Sequence, residues 1–146
     1  MKKGLMIFIL AFFLIGCSKE EGFDVELKVE IDDDVTIKQL KYDTNKMLNT
    51  FNGFNNDLED GVYMFNTSED TSYLFFQARE YTYSDMTFEI EGETFIISYK
   101  SEQKKDSGAN SLFKVETHNQ NRYDTIHMVN NDNSDTINSI FIGDTK

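Results

Sequence analysis

Apolar and polar residues alternate along much of this chain with a period of two, which is typical of β-strands. From Phe23 to Ile31 every second residue is apolar, and the residues between them are charged. This segment is predicted to be a strand with one buried and one solvent-facing side. Asp32 to Asp34 interrupt the alternation, and it resumes at Val35. The pattern therefore predicts a β-hairpin with a three-residue loop.

Further segments rich in β-branched and aromatic residues follow Gly61. They are residues 62–66, 73–78, 86–91, 94–99, 112–116, 123–129 and 137–142. Polar clusters such as Ser68 to Asp70 separate them. Short strands with turns between them predict a mainly-β domain, an antiparallel sandwich or barrel of about seven to nine strands.

One hairpin can be predicted to the residue. Glycine in the first position of a two-residue loop suits a type II′ turn, and Gly92 followed by Glu93 fits that position. The loop would place three apolar pairs on one side of the hairpin, namely Ile90 with Phe95, Phe88 with Ile97 and Met86 with Tyr99. A shift by one residue would set apolar against polar side chains throughout.

Residues 44–59 have a different pattern. Met47, Phe51, Phe54 and Leu58 are spaced by four, three and four residues, as on one face of a helix. Asp43 or Thr44 could cap its start. Several asparagines and Gly53 disfavour a helix. The prediction is a short helix, with a packed loop held by the two phenylalanines as the alternative.

The amino terminus is a separate unit. Lys2 and Lys3 precede an unbroken apolar run from Leu5 to Ile15, and Gly16 and Cys17 come directly after it. A cationic start, a short apolar stretch and a small residue are the marks of a secretory signal. As a helix this run would be about 17 Å long, whereas a bilayer core is about 30 Å thick.

Leu14, Ile15, Gly16 and Cys17 resemble the lipobox of bacterial lipoproteins. The resemblance covers only the first 20 or so residues. It implies a diacylglyceryl group on the Cys17 thiol and cleavage between Gly16 and Cys17. The expected organisation is a removed signal peptide (1–16), a lipidated tether (17–22) and one extracytoplasmic domain (23–146) on the cell membrane. An ordinary secretory signal and a short membrane anchor are the alternatives.

The charge restricts the class of partner. Removal of Lys2 and Lys3 leaves 12 basic residues against 26 acidic ones, a net charge of −14. Such a surface repels nucleic-acid phosphates and anionic lipid headgroups. Cys17 is the only cysteine, so its lipidation would leave no thiol for disulfide or thiol chemistry.

The sequence contains no strong catalytic or metal-binding motif. His118 and His127, without a second cysteine, do not form a typical zinc pattern, and no serine-nucleophile elbow is present. We therefore predict no catalytic residue, no bound metal and no cofactor other than the lipid. Calcium at Asp32 to Asp34 or at residues 131–135 is an alternative to ordinary turns, although both lack the EF-hand pattern.

A candidate contact surface lies between two predicted strands. Arg79, Tyr81 and Tyr83 combine an arginine with exposed aromatic rings, which are common in protein and glycan contacts. The alternative is that the tyrosines close off the sheet core. The sequence predicts a surface lipoprotein that binds an envelope or extracellular partner. The alternative is a small-ligand carrier with a cavity lined by Phe75, Phe88, Phe95 and Tyr99.

Overall fold

The computed structural model describes residues 19–20, 22–104, 108–119 and 122–143. These ranges contain one helix, α1 (Thr44–Thr50), and eleven strands. The strands are β1 (Lys19–Glu20), β2 (Phe23–Glu30), β3 (Val35–Leu40), β4 (Gly61–Asn66), β5 (Thr71–Gln77), β6 (Tyr81–Glu91), β7 (Thr94–Gln103), β8 (Ser111–Thr117), β9 (Thr125–Asn130), β10 (Asn133–Asp135) and β11 (Ser139–Ile142). The predicted mainly-β class is confirmed. The short strands β1 and β10 account for the two strands beyond the predicted number.

Two sheets pack face to face, which makes the domain a sandwich. The large sheet has the order β1-β2-β3-β8-β5-β4-β11, and the small sheet has the order β10-β9-β7-β6. Most neighbouring strands are antiparallel, as predicted. Two pairs, β11 with β4 and β7 with β9, are parallel and were not predicted.

The main core lies between the two sheets. Alternate side chains of β3, β4, β5 and β8 meet those of β7 and β9 in one cluster: Val35, Ile37, Val62, Met64, Leu74, Phe76, Phe95, Ile97, Tyr99, Phe113, Val115 and Met128. The Phe76 ring contacts Tyr99 and Phe113 at centroid distances of 5.3 and 5.8 Å, in edge-to-face geometry.

A second core covers the outer face of the large sheet. Met47 from α1 and Phe51 and Phe54 from the following loop pack on Phe65 and Tyr73. Strands β4 and β5 are consequently buried on both faces, which explains their nearly continuous apolar sequence.

The predicted helix over residues 44–59 is correct only for its first part. Asp43 caps α1 by accepting a hydrogen bond from the backbone amide of Lys46 at 2.9 Å. The helix ends at Thr50, and Gly53 lies beyond it in a left-handed conformation (φ 87°) that places its backbone against the Phe141 ring. Residues 51–60 are a packed loop held by Phe51 and Phe54, so both sequence interpretations describe part of the segment.

Strand β2 departs from the predicted single buried face. The register between β2 and β3 is irregular between Val25 and Leu27. Val25 therefore lies with Phe23 in the outer core, whereas Leu27 and Val29 turn towards the other sheet. An extra residue in a strand, a β-bulge, turns the side chains that follow it to the opposite side of the sheet. The alternation of residue types in the sequence cannot reveal this change.

The β6–β7 hairpin confirms two of its three predicted pairs. Ile90 lies opposite Phe95 and Phe88 opposite Ile97, around the two-residue turn at Gly92 (φ 63°). The predicted Met86–Tyr99 pair is absent from the ladder because the register shifts between Ser84 and Thr87. The two strands also continue past this shift, so residues 81–84 pair with 100–103.

Candidate functional site

The predicted lipid attachment site falls outside the described residues. Leu14, Ile15, Gly16 and Cys17 all precede Lys19, where the description begins. No helix within the described ranges has the length and apolar character needed to cross a membrane.

Arg79, Tyr81 and Tyr83 do not form one exposed surface. The Arg79 guanidinium donates a hydrogen bond to the backbone carbonyl of Asn56. The backbone amide of Arg79 donates a hydrogen bond to the Asp60 carboxylate. Arg79 thus fastens the start of β6 to the loop that follows α1. Tyr81 and Tyr83 are each partly buried on β6.

Tyr83 belongs to the inter-sheet core. Its ring packs edge to face on Phe76 and Tyr99, at centroid distances of 5.6 and 5.8 Å. Burial, followed by the negative charges of Asp60 and Asp135, raises the pKa of Tyr83 to about 12. This environment matches the alternative in which the tyrosine closes the core.

A groove lies at one side of the sandwich. It lies between β2, which projects beyond the small sheet, and β6, which is the last strand of that sheet. Its volume is about 300 Å³, and it is partly open to solvent. Its lining is mainly apolar: Leu27, Val29, Ile31, Ile37, Gln39, Met86, Thr87, Phe88 and Phe113.

The groove results directly from the unequal width of the two sheets. Phe88 of β6 packs on Phe113 of β8 at a centroid distance of 5.1 Å, so β6 lies over the middle of the large sheet. Beyond β6 the described residues supply no further strand to the small sheet. The inner side chains of β2, Leu27 and Val29, therefore remain only partly buried.

Acidic side chains lie on the solvent-facing sides of the two strands that border the groove. On the solvent side of β6, Glu89 and Glu91 are exposed, and Glu26 and Glu30 are exposed on the outward side of β2. Lys28 lies 3.4 Å from Glu30, in a pair whose side chains are about half or more exposed. Such a pair is weak, so the flanks of the groove remain acidic on balance.

Arg122 connects the two sheets through the β2–β3 loop and the β6–β7 turn. Its Nε and Nη2 atoms lie 2.8 and 2.7 Å from Oδ2 of Asp32, in the β2–β3 loop. Its Nη1 donates to the carbonyl of Gly92 in the β6–β7 turn at 2.7 Å. We call this arrangement the Arg122 clasp. The clasp was not predicted from the sequence, because Asp32 and Gly92 lie 90 and 30 residues from Arg122 in the chain.

Backbone hydrogen bonds hold the Asp32 carboxylate in place for its contact with Arg122. Its Oδ1 accepts hydrogen bonds from the backbone amides of Asp34 and Val35, at 2.8 and 2.9 Å. Burial acts to raise the pKa of Asp32, but these amides and Arg122 outweigh it and hold the pKa below its usual value of 3.8.

Both segments considered for calcium lie at hairpin turns, and residues 133–135 of the second form strand β10. Asp32 already engages two amides and Arg122. Asn131 and Asp132 have positive φ angles of 50° and 65° and form the two-residue turn between β9 and β10. Positive φ at both positions is the requirement of a type I′ turn, which favours Asn and Asp. In the described ranges, no group of three or more His, Cys, Asp or Glu side chains is arranged to hold a metal ion.

At the opposite end of the core, Tyr99 is paired with Asp135. The Tyr99 hydroxyl donates to Oδ2 of Asp135 at 2.5 Å, and Asn130 donates to the same oxygen at 3.2 Å. Burial, together with this carboxylate, raises the pKa of Tyr99 well above its usual value. Since Asp135 lies on β10 and Tyr99 on β7, the pair fastens the small strand β10 to the core.

The four aromatic residues expected to line a carrier cavity are not brought together. Phe95 and Tyr99 lie in the inter-sheet core, and Phe75 lies in the outer core on the opposite face of the large sheet. Of the four, Phe88 lines the groove.

Comparison with protein families, with characterised proteins and with solved structures gives no match to this chain. The groove and the amino-acid sequence are therefore the basis for assigning a function.

Proposed function

We propose that this protein is a lipid-anchored lipoprotein of the cell envelope whose acidic β-sandwich binds a partner protein outside the membrane. The anchor is the diacylglyceryl group on Cys17, by resemblance to the lipobox. The binding surface is the groove between β2 and β6. The observation that carries the proposal is the uncovered apolar inner side of β2, at Leu27 and Val29.

The physical reason is that contiguous apolar surface left open on a domain commonly marks a binding site. Single exposed apolar residues are common, but here side chains from two sheets converge on one groove. The high acidic charge keeps the domain soluble and steers oppositely charged partners towards it. A tether of a few residues at Cys17 holds the groove near the membrane.

A carrier of a small apolar ligand is the second candidate. A volume of about 300 Å³ is at the lower limit of ligand pockets. Gln39 and Thr87 are the polar residues in the lining, so a ligand would be held mainly by apolar contacts. The groove is partly open to solvent rather than enclosed, which fits a segment of a protein chain better than an enclosed small molecule.

Recovery of crosslinked partners from cell envelopes tests the proposal. The tagged full-length chain is crosslinked in cells, solubilised and purified, in parallel with Val29→Lys and with Glu59→Lys as a control on the far side of the large sheet. Val29 is partly buried, so circular dichroism must first show that the lysine variant is folded. We expect one protein partner in stoichiometric amount with the wild type and the control, and its loss with Val29→Lys.

Two results would contradict the proposal. Equal recovery of the partner with Val29→Lys would remove the groove from the interaction. Absence of any protein partner, together with a bound small molecule detected by native mass spectrometry, would favour the carrier instead.

A further inference from the structure

Among the residues that the structure describes, the small sheet has no strand opposite β2 of the large sheet. Neighbouring strands lie about 4.8 Å apart, and packed sheets are about 10 Å apart. β6 packs over β8 through Phe88 on Phe113, at a centroid distance of 5.1 Å. Residues of β3 and β2 line the groove beside β6, so the next strand position would lie over these two strands. A strand placed there would cover Leu27 and Val29 and give the sandwich a fifth strand in its smaller sheet.

The edge of β6 can accept such a strand. In the described ranges, β6 pairs with β7 alone and has no neighbour on its other side. A two-residue turn makes Glu91 and Thr94 a hydrogen-bonded pair, and such pairs alternate along an antiparallel ladder. The backbone groups of Phe88 and Ile90 consequently point away from β7. They are available to an added strand over about five residues, from Thr87 to Glu91.

The two faces of this edge define the chemistry of the added strand. On the inner face, Phe88 and Leu27 offer apolar contacts, so every second residue of the strand should be apolar. On the outer face its neighbours would be Glu89 and Glu91, both exposed. Opposite charges on neighbouring strands are favourable, so the alternate residues should be lysine or arginine.

We propose that the groove is completed by an extended segment of a partner protein in which apolar and basic residues alternate, added as a strand beside β6. Main-chain hydrogen bonds to β6 and apolar side chains over β2 would hold it, as in other recognition by strand addition. The inference rests on the proposed function, because it specifies which part of the partner the groove receives.

A synthetic peptide tests this inference directly. The probe is a nine-residue peptide, capped at both ends, in which lysine alternates with valine. The full-length chain is held in nanodiscs of zwitterionic lipid, and empty nanodiscs measure any binding of the peptide to lipid. Two control peptides have the same length: one alternates glutamate with valine, and one has the lysines and valines grouped in two blocks. Binding is measured by calorimetry at low and at physiological salt.

We expect the alternating lysine peptide to bind, and both control peptides to bind at least about tenfold more weakly. Glu89→Lys should weaken binding by several-fold and reduce its dependence on salt. Glu59→Lys carries the same change of charge away from the groove and should leave binding within about twofold. Val29→Lys should weaken binding about tenfold or more, because a charge replaces an apolar contact.

Amide hydrogen exchange reports the geometry of the complex. Addition of a strand should slow exchange at Phe88 and Ile90 and leave the free edge at β11 unchanged. Equal binding of the alternating and block peptides would overturn the inference, as would binding without protection of Phe88 and Ile90. The peptide could fail to bind while a partner protein is still recovered with the wild type and lost with Val29→Lys. The strand-addition inference would then be wrong, and the proposed function would stand. If a partner is recovered independently of Val29, the proposed function falls.

Discussion

Removal of the Arg122 guanidinium should destabilise the domain because it holds the ends of two sheets together. In Arg122→Ala, the contacts of 2.8 and 2.7 Å with Asp32 and the 2.7 Å bond to the Gly92 carbonyl are all lost. Hydrogen bonds to charged groups contribute about 1.5–3 kcal/mol when protected, whereas exposed ion pairs contribute about 1 kcal/mol or less.

The partial exposure of the clasp sets the expected size of the effect between those limits. The side chains of Arg122 and Asp32 expose 27% and 28% of their surface. Asp32 also keeps its two backbone amide donors in the variant, so its carboxylate is not left unpaired. We expect a loss of about 1.5–2 kcal/mol, which for a domain of this size lowers Tm by roughly 4–7 °C.

The assay is urea unfolding of residues 18–146, followed by circular dichroism at pH 7. Lys100→Ala is the matched control, since Lys100 forms an exposed pair with Asp85 at 3.3 Å with side chains 64% and 67% exposed. Lys100→Ala should lower the free energy of unfolding by at most a few tenths of a kcal/mol. Arg122→Lys should lower it by an amount between those of Lys100→Ala and Arg122→Ala, because a lysine ammonium cannot donate to Asp32 and Gly92 with the planar set of donors that arginine has.

The effect of Arg122 should also depend on pH in one direction. The folded-state pKa of Asp32 is lowered, so the stability that comes from its ionised form is present above the unfolded pKa and is lost as the pH falls through the folded one. The difference in free energy of unfolding between wild type and Arg122→Ala should therefore become smaller below about pH 3.8. Two results would refute this prediction. One is an equal loss of unfolding free energy in Arg122→Ala and Lys100→Ala, and the other is a loss in Arg122→Ala that is the same at pH 7 and pH 3.

Three further predictions concern the outer core, the Tyr99 pair and the anchor. Phe51→Ala should cost about 3–5 kcal/mol in urea unfolding, since the Phe51 ring is 1% exposed and packs on Tyr73 at 4.7 Å; an effect below 1 kcal/mol would contradict the packed loop. Tyr99→Phe should cost about 1–2 kcal/mol and hasten amide exchange in β10, because Asp135 loses its hydroxyl donor; unchanged exchange there would count against the pair as a fastening. Cys17→Ser should yield a precursor without lipid and without cleavage before residue 17, as read by intact mass; normal processing would disprove the lipobox interpretation.

Local pattern in the sequence predicted the turn-proximal part of one hairpin and the start of the helix. The β6–β7 hairpin was predicted to the residue at Ile90 and Phe88, because a glycine turn and alternation together determine the register. Asp43 was correctly identified as a candidate cap of α1, since capping depends on the next three residues.

Features that depend on distant parts of the chain were not predictable in the same way. The irregularity after Val25 reverses the facing of Leu27 and Val29, yet the residue types alternate without a break. The groove exists because of that reversal and because, within the described part of the chain, β6 is the last strand of the small sheet. The parallel pairing of β9 with β7 likewise depends on how the chain crosses between sheets. Arg122 meets Asp32 across 90 residues of sequence, and nothing local marks either residue.

The central claim is that the groove between β2 and β6 holds a segment of a partner protein, and site-specific photocrosslinking in intact cells tests it most directly. A photoreactive phenylalanine analogue replaces Phe88 in the groove, and the same analogue replaces Glu59 in a control chain. The account predicts a covalent protein adduct from position 88, mapped by mass spectrometry to a segment of alternating apolar and basic residues, and none from position 59. The account is contradicted if position 88 yields no protein adduct, or if both positions yield the same one.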